Sequence, residues 1–194
     1  LVGRPSLAPI RREQLMDAVE ASIIEAGVDG TTIAGVAHRA GVQASLVHHY
    51  LGTRDEMLDA AVQRALHRIE SIMVEALHDT PAHKRVRAQI DVLFSGQLES
   101  PAINQLIDQL VAASYLDPRI RDALRSMYLR LEHLLRDSIL DGHPTATPAR
   151  AEAVACAVLS LAHASATFSW LAFDPSQSER NRTAALTLVG TLGT

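Results

Sequence analysis

The 194 residues carry 47% hydrophobic but only 4% aromatic side chains, and 18 Lys and Arg stand against 22 Asp and Glu for a net charge of −4. That length suffices for one or two domains with a substantial core, while the charge excludes a protein that holds nucleic acid by bulk positive field. A single cysteine, Cys156, excludes an internal disulfide framework and fits a reducing cytoplasm.

Ala and Leu abound and β-branched clusters are few, so an all-α fold is expected. Residues 1–9, with Gly3, Arg4, Pro5 and Pro9, lack periodicity and read as a flexible arm from which Arg4 can reach a phosphate or a minor groove. Helix 1 is predicted from Ile10 to Ala26, with Leu15, Val19 and Ile23 on one face and Gly27 at its end. Thr32 caps helix 2, and its hydroxyl and the first amides suit a DNA phosphate as well as a cap. The period of Ile33, Val36, Ala37 and Ala40 stops at Gly41, and Leu46, Val47, Tyr50 and Leu51 restart it on a new axis. This is helix, tight turn, helix, with Gly41 supplying a left-handed residue and Val42 packing inward. Helix 3, Ala44 to Leu51, then turns Gln43, Ala44, Ser45, His48 and His49 outward. Small and polar side chains suit a surface that enters a major groove.

From Ile10 to about Leu58 the chain resembles the DNA-binding domain of the TetR family of transcriptional regulators, and in detail its choline-responsive BetI-like members. The residues that carry the likeness are Thr32, Ile33 and Ala34; Ala40, Gly41 and Val42; His49 and Tyr50; then Thr53, Arg54, Asp55 and Leu58. Gln43 stands where a capping Ser is usual, Leu51 where Phe is usual and Arg54 where Lys is usual. Residues 10–52 are therefore expected to form a three-helix DNA-binding head, and 53–194 a six-helix body for effector binding and dimerisation. Thr32, Gln43, Ala44, Ser45, His48, His49, Tyr50 and Arg54, joined by Arg4 and Arg11, are the expected DNA contacts. The first 68 residues hold seven Lys and Arg against eight Asp and Glu. Affinity must then come from locally placed cations: Arg4, Arg11, Arg12, Arg39 and Arg54.

Thr53 followed by Glu56 is a capping box that starts helix 4. Thr80-Pro81, Ser100-Pro101, Asp117-Pro118 and Thr147-Pro148 each pair a capping oxygen with a proline at a first helical position, which announces helices 5 to 8. Asp141-Gly142 closes helix 7. Residues 151–173, charged only at Glu152, have the length of a membrane span. The polar Ser160, His163, Ser165, Thr167 and Ser169 within it favour a helix buried on all sides, as a central or dimer-interface helix would be. Helix 9, about Ser178 to Leu192, is rich in Ala, Leu and Thr.

Helices so apolar predict a homodimer through helices 8 and 9, whose paired reading helices match a near-palindromic operator on double-stranded DNA. The resemblance implies the same dimer and an unidentified small-molecule effector. Its candidate lining is Phe94, Tyr115, Met127, Tyr128, His163 and Trp170, the larger or polar side chains on aliphatic faces. No metal, cofactor or catalytic constellation is expected: His48 and His49 are adjacent and diverge on a helix, and Cys156 and His163 are two turns apart. With no signal-peptide pattern at the start, the expected protein is a cytoplasmic, ligand-responsive transcriptional repressor and not an enzyme. The alternative is an all-helical small-molecule binder whose head contacts another protein.

Overall fold

Turn chemistry and apolar spacing together produce nine α-helices and a closing 3-10 turn among the described residues, 8–95, 98 and 100–193 of this computed structural model. No strand occurs among them, as expected of an all-α chain. The N-terminal arm with Arg4 lies outside the described residues.

The contacts divide the chain into two compact units, one of the described residues up to Ala65 with Gln105–Leu124, the other of Leu66–Asn104 with Arg125 onward. In the first unit, α1 (Ala8–Gly30) packs on α2 (Ile33–Ala40), and α2 on α3 (Ala44–Leu51). The helical course of α1 breaks at Gly27, where φ is 73° and ψ 172°. This is the residue expected to end it. Leu15, Val19, Ile23, Val36, Val47 and Leu51 are buried together with Met57, Ala61 and Val62 from the start of α4 (Arg54–Glu75). The unit also takes in Leu106, Ile107 and Leu110 of α6 (Pro101–Ser114) and Ile120 and Leu124 of α7 (Pro118–Gly142).

The second unit contains α5 (Ala82–Leu93), α8 (Pro148–Trp170) and α9 (Gln177–Gly190), with the remainders of α4, α6 and α7. α8 packs on α9, and α5 on both. Ile90, Met127, Leu135, Ile139, Ala155, Val158 and Ala185 supply its core.

Two of the four proline pairs cap as expected. Thr147 accepts from the Arg150 amide at 3.3 Å and Asp117 from the Arg119 amide at 2.8 Å, each with the proline at the first helical position. Thr80 does not: its hydroxyl donates back to the Ala76 carbonyl at 3.0 Å, and α5 begins one residue later with Pro81 at its cap position. At Ser100 it is the backbone carbonyl that receives the first amide, from Asn104 at 3.0 Å.

Within one chain, helix α8 is covered on one side only. It is not buried on all sides: Ala151, Ala155, Val158 and Leu159 face inward while Glu152, Ala153, Cys156, Ser160 and His163 are exposed. Pro148–Ser169 is long and apolar enough to cross a membrane, a test of length and composition that a core helix also passes.

Gly52 shows why the junction after α3 has little freedom. Its φ of 77° and ψ of −145° lie where L side chains are strained, and an added Cβ would collide with the Glu56 carboxylate. That carboxylate accepts from the Thr53 amide at 2.8 Å and hydroxyl at 2.9 Å, and the Glu56 amide donates to Thr53 Oγ1 at 3.3 Å, the capping box in full. The Thr53 amide, then its hydroxyl, lower the Glu56 pKa. A Gly52→Ala variant should lose about 1–3 kcal/mol through strain and the displaced cap, read as a lower urea midpoint. The α8–α9 turn is fixed by Asp174, which accepts from the amide and hydroxyl of Ser176 at 2.8 Å each and pairs with Arg180 at 2.8 Å. These bonds, the Ser176 amide first, take its pKa from 3.8 to about 2. A depressed carboxyl pKa stabilises the fold above the unfolded value. The melting temperature of wild type should therefore exceed that of Asp174→Asn at neutral pH, and the gap should close as pH falls from 3.8 to about 2.

Candidate nucleic-acid interface

The outward edge of α3 results from what its other face must do. Val47 and Leu51 are fully turned into the first unit, which leaves Gln43, Ala44, Ser45, His48 and His49 exposed and Tyr50 half-buried. Gly41 at φ 65° and ψ 35° makes the tight turn before it, and the Val42 amide donates to the Ala37 carbonyl at 3.0 Å to close the end of α2. Gln43 caps α3 by position alone, since its side chain makes no capping hydrogen bond. A Ser there would have bonded the first turn; the longer amide is left to the surface.

At the far end of α3, Arg12 of α1 donates from Nη1 to the Tyr50 carbonyl at 2.6 Å. Cation and helix C-terminus attract, so the contact pins α3 against α1. His48 closes a second bond over the same end: its Nδ1 lies 3.0 Å from the Gly52 carbonyl oxygen, while the Gly52 amide donates to the His48 carbonyl at 3.0 Å. His49 meets the Tyr50 ring edge-on at 4.9 Å. Thr32 caps α2 by accepting from the Gly35 amide at 3.1 Å, and remains exposed.

The basic residues divide by what they hold. Arg11 donates to Gln14 at 3.2 Å and is exposed. Arg39 pairs with Glu25. Arg54, one of the expected DNA contacts, donates inward, from Nε to the Thr31 carbonyl at 2.8 Å and from Nη2 to Val28 at 2.8 Å and Asp29 at 3.1 Å. It clasps the start of α4 to the connection between α1 and α2. Arg64, one helical stretch further along α4, faces Glu13 at 3.0 Å, Asp17 at 2.6 Å and Glu20 at 3.0 Å. Burial would lower its pKa, but the hydrogen bond it donates to Asp17 and the three acidic charges outweigh that and raise it. Sequence reasoning missed this hub, although Glu13, Asp17 and Glu20 share one helical face, a signal that a partner cation was required.

The expected effector residues are less assembled. In the second unit Phe94 and Met127 are buried, Tyr128 is half-buried and His163 exposed. Tyr128 Oη and His163 Nδ1 come within 3.2 Å. Tyr115 belongs to the first unit and is 81% exposed on the turn after α6, so it stands at the surface and not in a lining. The side chain of Trp170 lies outside the described residues. A hollow of about 260 Å³ between Phe168, Ala172 and Pro175 involves none of the other five.

Residues 15–61, the span that contains all of α2 and α3, match the family described as bacterial regulatory proteins, tetR family. This head is a tetR-family helix-turn-helix domain. Relatives of the tetR head include the HTH-type transcriptional regulator BetI of Burkholderia thailandensis, 32% identical over 64% of this chain and 61% of that protein. BetI of Burkholderia mallei is 38% identical over 48% and 50%. The chain thus spans about three fifths or less of the curated relatives it matches. By fold the likeness is longer. A TetR transcription regulator from Haloarcula marismortui superposes with a TM-score of 0.80 at 20% identity, over 94% of this chain and 98% of that one. A regulator from Saccharomonospora viridis in complex with choline gives 0.77 at 17% identity, over 94% and 96%.

The inward role of Arg54 has a measurable consequence. Arg54→Met should lower stability by about 1–3 kcal/mol, because three backbone carbonyls lose a charged donor. Arg54→Lys should restore only part, since one ammonium cannot reproduce the fork. Unfolding of the free protein in urea measures both, and unchanged midpoints would leave DNA as the sole business of this side chain.

Proposed function

We propose that the protein is a cytoplasmic, homodimeric, sequence-specific DNA-binding transcriptional repressor, released from a near-palindromic operator by a small-molecule effector. The observation that carries this reading is the α3 edge: small and polar side chains from Gln43 to His49 on a helix braced at both ends inside a tetR-family head. Such an edge enters a major groove without bulk or like-charge clutter. On this reading Thr32, the amides of α2 and Arg11 take phosphates.

Support for the dimer comes from the exposed sides of α8 and α9. Leu161, Thr183, Ala184, Thr187, Leu188 and Arg180 line an open, largely aliphatic hollow of about 720 Å³. Beside it, Ala153, Cys156 and Ser160 are exposed. Two copies joined here bury what one copy leaves in water. Support for an effector comes from Gln89 on α5, which is 0% exposed while neither its Oε1 nor its Nε2 has a hydrogen-bond partner. A buried amide so placed is costly unless something pairs with it, and a polar ligand group is one such partner. Phe94, Met127, Tyr128 and His163 are the further candidates.

The choline of the Saccharomonospora structure is not carried over. A quaternary ammonium calls for a cage of aromatic faces. The described aromatic side chains of the second unit are Phe94, Tyr128, Phe168 and Phe173, and the last two lie against each other at 5.3 Å. Coupling of roughly 1–3 kcal/mol between effector and DNA sites would suffice for release.

Footprinting of the purified protein on the DNA flanking its own gene tests the reading. The expected result is two protected half-sites about one helical turn, ~34–36 Å, apart, and a particle mass in solution twice the 21.0 kDa of one chain. A monomer without preference among duplex sequences would overturn it.

A further inference from the structure

Among the outward side chains of α3, one has its hydrogen-bonding polarity set by the fold. Gln43 offers both a donor and an acceptor, Ser45 a rotatable hydroxyl that can be either, and Ala44 neither. The His49 ring meets the edge of Tyr50. His48 differs. Its Nδ1 lies 3.0 Å from the carbonyl oxygen of Gly52, and a carbonyl can only accept. Nδ1 must therefore carry the hydrogen. In the neutral ring the proton on one nitrogen leaves the other with a lone pair, so Nε2 is an acceptor. Turning the ring over would put a carbon on the carbonyl and forfeit the bond.

The carbonyl that sets this tautomer is itself held in place. The Gly52 amide donates to the His48 backbone carbonyl at 3.0 Å, so residues 48 and 52 close a small ring of two hydrogen bonds. The backbone at Gly52, φ 77° and ψ −145°, is one that glycine adopts readily, and the capping box of Thr53 and Glu56 fixes the next residue. His48 is exposed and sits one turn after Ser45 on the edge that faces outward.

In the major groove each base pair offers one exocyclic amino donor, N4 of cytosine or N6 of adenine, while guanine and thymine offer keto oxygens at the corresponding place. An acceptor fits the first pair and repels the second. We propose that His48, with Nδ1–H held on the Gly52 carbonyl, presents Nε2 as an acceptor and so selects an amino base, cytosine or adenine, on the strand it faces. This rests on the DNA-binding reading above and adds which chemical class of base one named atom demands.

The test is selection of binding sites by the full-length protein from a pool of random duplex DNA. It is run at pH 8. Wild type should enrich adenine or cytosine at one symmetric position in each half-site. His48→Ala should lose the preference at that position and keep the others. His48→Arg, a donor that pairs with guanine O6 and N7, should turn the same position to guanine. In the best selected duplex, replacing that adenine by purine, or that cytosine by 2-pyrimidinone, removes only the amino group. Wild-type affinity should fall roughly 5- to 100-fold and that of His48→Ala should hold. Guanine or thymine at the His48-dependent wild-type position overturns the inference and leaves DNA binding standing, as does a His48→Ala selection identical to wild type. Enrichment of no sequence at all removes the DNA-binding reading and this inference with it.

Discussion

The head depends first on one guanidinium. Beyond the break at Gly27, the carbonyls of Val28 and Asp29 at the end of α1 and of Thr31 before α2 turn toward α4, and Arg54 gives all three a charged donor. Buried or half-buried carbonyls left without donors are expensive. The same side chain begins α4, so the bonds that satisfy the connection also dock the helix that follows the reading element. Arg64 repeats the arrangement on the far side with carboxylates of α1 in place of carbonyls. Between them, the start of α4 is bound to α1 at two points and becomes part of the head.

The ends of α3 follow the same logic on a smaller scale. Eight residues are too few for a helix to persist by itself in water. Val47 and Leu51 supply the apolar anchorage, Arg12 and His48 cover the carbonyls at its C-terminal end, and Gly52 turns the chain away. What remains outside is free of structural duty except for His48, whose ring serves the fold through one nitrogen and leaves the other to the surroundings. A side chain divided in this way has its chemistry chosen by its own backbone.

Much of the head was legible in the sequence because its signals are local. Gly41, Thr32 and the Thr53–Glu56 pair each act within four residues, and the period of buried positions breaks where the axis turns. The roles of Arg54 and Arg12 were not legible. Each reaches a carbonyl more than twenty residues away, and a motif position says nothing about which way a long cation bends. Thr80 misled for a related reason: a hydroxyl before a proline can cap forward or bond backward, and the choice depends on how the preceding turn closes. In the body, Ala and Leu content announced helices but not which of their faces a single copy covers. The exposed side of α8 and the unpaired amide of Gln89 emerged only from packing.

Residues 1–68 carry one more acid than base, and Arg12, Arg39, Arg54 and Arg64 are already engaged inside the head. Under the proposed function, that arrangement leaves little cationic surface with which to loiter on arbitrary duplex. Bulk chromosomal DNA becomes a poor sink for such a molecule. A cell would then need few copies to keep a target occupied, and the route to that target would run through free diffusion more than through sliding along the double helix.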